Sequence, residues 1–367
     1  MDRRTVMTLI GATTIAGFAR SAAAWEAPDA ALDAVFEEHA PPALAAGIVS
    51  REGLQWSGVR GVRRVGSPDA ATLQDRWHLG SNTKAMTAAV YGRLVDRGLT
   101  RWERPMVDIF PEIAAAPAWA GVTVDQLMSH HAGLRDDDLL PRDVRIAARG
   151  DARPLVEQRL DRVRAALEAG PRGAVGTYAY ANINYILAGA AIERISGAAW
   201  EAAIAAELFA PLGITTGGFG APEGDQPWGH QTLAGVMTPL DPVLKPDNPP
   251  LMGPAGTAHM SLSDYAAFLR LFLTRGGDVL RPATVEVLTT PGAGAGRPYA
   301  LGWAVEPAGW AAGPTLQHEG SNTLWHATAV LDPAGGVGYV GLSNESTRGG
   351  PAIRALVQRL TALRTPA

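Results

Sequence analysis

Short alternating apolar runs mark both ends of this chain, and longer stretches with three- and four-residue apolar spacing lie between them. Alternation predicts strands and the longer spacing predicts amphipathic helices. At the N-terminal end the pattern predicts a helix over Ala27–His39. A hairpin should follow, with strands over Ala43–Ser50 and Leu54–Gly58 and a turn at Arg51-Glu52-Gly53. A helix over Asn82–Arg97 presents Met86, Ala89, Val90, Tyr91 and Leu94 on one face and stops at Gly98. Pro105–Pro117 reads as irregular. Helices are expected over Thr123–Ser129, Arg153–Glu168 and Tyr185–Ile195, with Pro154 suited to a first turn. Residues 220–256 are rich in Pro and Gly and read as a long ordered loop. Ser261–Leu273 is expected as a helix capped by Ser261 or Ser263. Strands are then expected over Leu301–Val305, Leu316–His318, Trp325–Leu331 and Gly336–Leu342, and a helix over Ala352–Leu363 closes the chain. Strands at both ends with helices between them predict one sheet built from both termini and a helical insertion, an α/β architecture of the α+β type.

The first residues change the picture. Asp2-Arg3-Arg4-Thr5 precedes an apolar stretch from Val6 to Ala19, and Ala22-Ala23-Ala24 offers a small-residue cleavage site before Trp25. This is the pattern of an export signal, with paired arginines of the twin-arginine kind. The expectation is a signal over residues 1–24 and an exported, periplasmic or secreted domain over 25–367. That domain would have its α/β part near 25–100 and 255–367 and its helical insertion near 101–254. Formal charge is −4, and losing three arginines and one aspartate with residues 1–24 takes it to −6. That balance gives no reason to expect a nucleic-acid partner or an anionic membrane surface. The chain has no cysteine, which excludes disulfides, thiol catalysis and thiolate-bound metals.

Chemistry concentrates in three clusters. The chain has only two lysines, Lys84 and Lys245, among 32 basic residues. Lys84 stands three residues after Ser81, a spacing that puts both side chains on one helix face. A lysine gives up its proton when desolvated and an arginine does not, so the pair suits a nucleophile and its base. A serine at the start of the helix would also feel the positive end of the helix dipole. The second cluster is Thr177-Tyr178-Ala179-Tyr180-Ala181-Asn182. Tyr180 can relay a proton if nearby cations lower its pKa, and Asn182 can bind a substrate amide. By themselves the tyrosines read equally as packing residues and Asn182 as a helix cap. The third is Gln317-His318-Glu319-Gly320-Ser321-Asn322. On a strand His318 and Gly320 share a face, Gly320 admits close approach, and the Ser321 amide can join that of Ser81 in an oxyanion hole. Eight histidines raise the question of a metal. His130 and His131 are adjacent and point apart, and no His-Glu-x-x-His pattern occurs, so neither metal nor cofactor is expected.

The order and separation of these clusters resemble the serine β-lactamase-related superfamily, in its class C β-lactamase, D,D-peptidase and esterase branch. Ser81-Asn-Thr-Lys84 is similar to its Ser-x-x-Lys motif, Tyr180-Ala-Asn182 to its Tyr-x-Asn motif, and His318-Glu-Gly320 to its Lys-Thr-Gly or His-x-Gly motif. Leu127-Met-Ser-His-His-Ala-Gly-Leu134, the segment from Gly253 to Leu269, and Leu301-Gly-Trp303 resemble further family segments. The resemblance implies an antiparallel sheet flanked by helices, with the active site in a cleft beside an inserted helical domain. It implies an acyl-enzyme on Ser81, with proton transfer by Lys84 and Tyr180 and substrate positioning by Asn182. His318, Gly320 and Ser321 would line the site, and His130 would hold a loop. The chain departs from the pattern at His318 and Glu319, where class C β-lactamases carry lysine and commonly Thr or Ser. Both changes disfavour an anionic lactam. The expected activity is hydrolysis of small-molecule esters or peptide-like amides. The alternatives are a β-lactamase and a slowly acylating penicillin-binding-type protein.

Overall fold

The computed structural model describes residues 19–363, with side chains from residue 27 onward. The expected leader therefore lies for the most part outside the described residues. The main sheet has six antiparallel strands, in the spatial order Leu54–Gly61, Ala43–Ser50, Val337–Ser343, His326–Asp332, Thr315–Ser321, Ala304–Glu306. The strand from the N-terminal hairpin pairs directly with the last strand, Leu44 opposite Ser343 and Ser50 opposite Val337. One sheet is thus closed from both ends of the chain, as the alternation predicts.

Period two decides which residues go where. Leu44 and Ala46 point to the face packed by helices Ala19–His39 and Gly349–Ala362, against Leu32, Val35, Ile353 and Leu356. Ala43, Ala45 and Val49 point to the other face, in the large core that includes helix Leu262–Leu273. That helix is capped by Ser261, whose hydroxyl accepts the Asp264 amide. The helices Leu155–Ala169 and Asn182–Ser196 pack in the same core. They are tied by Arg159, buried between Glu193 and Glu201.

Several expectations need correction. The first helix starts at Ala19, ahead of Ala27. Pro105–Pro117 contains a helical turn, Met106–Ile109. Residues 220–256 hold a hairpin, Gly229–Leu233 paired with Val236–Leu240. Its connection, Ala234-Gly235, has positive φ at both residues, the backbone of a tight hairpin turn. Pro239 inside one strand hid it, since proline argues against a strand. Helices Arg142–Gly150 and Pro282–Thr289, and a small sheet of Arg76–His78, Ala258–Ser261 and Gly218–Phe219, were not anticipated.

Candidate active site

The turn Gly80–Asn82 is a single 3-10 turn that runs directly into helix Thr83–Asp96. It sets Ser81 at the N-terminal end of that helix. Asn82 anchors the turn: its amide donates to Leu79 O and to Ala327 O on the sheet, and its oxygen accepts the buried Tyr265 hydroxyl. Gly80 has φ +51, and a Cβ there would sit 2.5 Å from the Ser321 nitrogen. A Cβ on Gly320 would meet Leu79 O at 2.1 Å and the Ser81 nitrogen at 2.7 Å. The Gly80–Asn82 turn and strand Thr315–Ser321 touch backbone to backbone, and only glycine permits it.

Lys84 is buried. Its Nζ lies 2.9 Å from Ser81 Oγ, 2.8 Å from Asn182 Oδ1 and 2.7 Å from Ala255 O. Burial lowers its pKa to about 7, against a partial upward pull from the Asp136 carboxylate. A neutral amine has two N–H groups and one lone pair. Asn182 Oδ1 and Ala255 O accept only, so they take the two N–H groups and the lone pair is left facing Ser81 Oγ.

Asn182 is the first residue of helix Asn182–Ser196, not its cap. Its amide nitrogen donates to Asp136 Oδ2 at 2.8 Å, while Asp136 Oδ1 accepts the Ile183 amide at 2.9 Å. Asp136 therefore fixes which end of the Asn182 amide faces Lys84. It escaped the sequence reading because it lies in an Asp-Asp-Asp run that looks like a solvated surface.

Tyr180 lies beside Lys84, whose Nζ is 4.9 Å from its ring centre. The condition set for that relay, that nearby cations lower its pKa, is not met. Burial raises it, and a hydrogen bond with Ser81 pulls only partly the other way. The residue is 42% exposed, so solvent tempers the rise, but the phenol keeps its proton near neutrality.

His318 is buried, and its Nδ1 donates to Glu319 O while its Nε2 accepts the Tyr299 hydroxyl, each at 2.8 Å. Burial first, and then the Lys84 charge, lower its pKa to about 3. The Glu319 carbonyl, which only accepts, fixes the proton on Nδ1, and Tyr299, another residue missed in the sequence, donates to the Nε2 left free. Ser321 donates its hydroxyl to Trp325 O at 2.8 Å, closing the turn after the strand. His130, at φ +63, holds the loop: its Nδ1 accepts the Ala181 amide and faces Asn184 Nδ2. A cleft of about 630 Å³ opens alongside, walled by Tyr178, Tyr180, Tyr299, His318 and Glu319. The arrangement brings a serine, a desolvated amine, a neutral phenol and two closely apposed backbone segments to one point, the parts needed for acyl transfer.

Comparison with known proteins agrees. Penicillin-binding protein 4 of Amycolatopsis lactamdurans is 26% identical over 359 residues, covering 91% of this chain and 90% of that protein. An octameric penicillin-binding protein homologue from Pyrococcus abyssi shares the fold with a TM-score of 0.75 at 21% identity, covering 92% of this chain and 77% of that one. A D-stereospecific amidohydrolase from Streptomyces sp. shares it with a TM-score of 0.69 at 22% identity, covering 91% and 97%. The model of the Beta-lactamase family matches residues 28–363, and the chain belongs to that family.

Proposed function

We propose that this protein is a serine hydrolase that forms an acyl-enzyme on Ser81, with carboxylic esters or peptide-like amides as its substrates. The observation that carries the reading is the Lys84 amine. It is desolvated to a pKa of about 7, its N–H groups are taken by two acceptors, and its lone pair is aimed at Ser81 Oγ 2.9 Å away. Lys84 takes the Ser81 proton as Oγ attacks the carbonyl carbon. The charge that develops on the carbonyl oxygen lies against the amides of Ser81 and Ser321. Tyr180, a neutral phenol, gives its proton to the leaving group and is reprotonated from Lys84. Water then attacks the acyl carbon, its proton returning through the same groups to Ser81.

Substrate preference follows from the missing cation. His318 is neutral above about pH 3. The two arginines lining the cleft are each paired, Arg297 with Glu306 and Arg354 with Glu319. A lactam carboxylate would find no unpaired positive charge among these groups, whereas a neutral ester or amide needs none. The amidohydrolase likeness supports the same class of bond.

The experiment is p-nitrophenyl butyrate hydrolysis beside a cephalosporin. Sustained ester turnover lost in Ser81→Ala, with cephalosporin kcat/KM below about 10⁶ M⁻¹s⁻¹, is the expected result. A single stoichiometric burst would favour a slowly acylating penicillin-binding-type protein. Cephalosporin turnover above that value would overturn the substrate preference.

A further inference from the structure

Asp247 is a buried carboxylate, 7% exposed, that has no part in the proton transfers above. It follows the short turn Pro242–Leu244, far in sequence from Ser81, Tyr180 and His318, yet it reaches both sides of the oxyanion site. Its Oδ2 accepts from His78 Nε2 at 2.9 Å. The Nδ1 of the same ring accepts the Gly80 amide at 3.1 Å, one residue before Ser81. An Nδ1 that accepts leaves the proton on Nε2, so the ring donates to Asp247. Its Oδ1 accepts from Asn322 Nδ2 at 2.6 Å, one residue after Ser321. Asn322 Oδ1 in turn accepts the Leu324 and Trp325 amides at 3.2 and 3.1 Å, shaping the turn after the strand. The two arms also touch, since the His78 and Trp325 rings stack with centres 5.4 Å apart. The Asn248 amide, 2.7 Å from Oδ1, adds a third donor.

We propose that Asp247 is a positioning residue for the oxyanion hole, clamping the Gly80–Ser81 turn and the Ser321–Asn322 strand end in register through His78 and Asn322. An oxyanion hole stabilises charge only if its donors are fixed before the charge develops. Here those donors sit on segments about 240 residues apart in the chain, and one carboxylate holds them both. The inference rests on the reading of Ser81 as nucleophile.

Two variants separate the arms. Asp247→Ala removes both. Asp247→Asn keeps an oxygen for Asn322, but its amide nitrogen faces the proton of His78 and breaks that arm. Amide hydrogen exchange followed by mass spectrometry reads the clamp without any activity. Exchange is expected to rise about tenfold or more in Asp247→Ala in peptides covering 78–84 and 319–325, with helix Leu262–Leu273 unchanged. In Asp247→Asn it should rise in 78–84 alone. Kinetically, kcat for p-nitrophenyl butyrate should fall about 10- to 100-fold with KM within about twofold. The inhibition constant of a boronic acid, whose adduct places an oxygen in the hole, should rise by the same factor. Unchanged exchange at both segments, or a rise in KM with kcat intact, would overturn the clamp. If the wild type shows no Ser81-dependent turnover, the hydrolase reading fails, and the exchange pattern still decides whether the clamp exists.

Discussion

Lys84 is where physical chemistry and function meet most closely. Desolvation makes it a base at about pH 7, and the same desolvation costs stability. Its folded pKa lies below the ordinary lysine value, so between about pH 7 and 10.5 the unfolded chain binds more protons and this group's contribution to stability rises with pH. Activity should follow: kcat/KM for a neutral ester rises through about pH 7 and levels off above it. Asp136 raises the Lys84 pKa, so Asp136→Asn is expected to move that rise to lower pH, as a pH–rate profile would show. Gly80→Ala tests the backbone approach. Its Cβ would collide with the Ser321 nitrogen at a positive φ, so a loss of kcat of about 100-fold or more is expected, with a lowered melting temperature. Ser81 and Lys84 were legible in the sequence because their contact is local, three residues apart across a 3-10 turn and the helix it leads into. Asp136, Tyr299 and Asp247 were not. Each acts on a partner between 19 and 169 residues away, and nothing in the local composition marks them.

At the scale of elements, the site is the meeting point of a helix start, a strand end and a second helix start. The helix Leu262–Leu273 supports it from behind through Tyr265, whose hydroxyl reaches Asn82 Oδ1 at 2.8 Å. Tyr265→Phe leaves that buried oxygen without its donor. A loss of about 1–3 kcal/mol in urea unfolding is expected, together with reduced kcat, because the same bond steadies the Ser81 turn. Alternation in the strands and the Ser261 cap were legible, since both are short-range signals. The hairpin Gly229–Leu233 and Val236–Leu240 was not. Its turn lacks the Asn-Gly signature, and Pro239 stands where a ladder donor would be.

At the scale of the molecule, the two chain ends form one sheet, and the segments between them carry Tyr180, Asn182 and Asp136 to its edge. The arrangement depends on the buried Arg159, which spans Glu193 on one helix and Glu201 beyond it. Arg159→Met would strand two carboxylates, of which Glu193 is buried, and is expected to cost about 3–5 kcal/mol in equilibrium unfolding. Among the described residues no helix is long and apolar enough to cross a membrane. The sheet from both termini was legible because alternation survives at each end of the chain. The way the intervening helices return to the sheet edge was legible only through the resemblance of spaced motifs, because it is set by packing between distant segments.

The most direct test of the account is to trap the reaction of p-nitrophenyl butyrate by rapid acid quench and locate the acyl group by peptide mass spectrometry. The account predicts a butyryl ester on Ser81 in the wild type, absent in Ser81→Ala and formed far more slowly in Lys84→Met. An acyl group on another residue, or hydrolysis undiminished in Ser81→Ala, would contradict it.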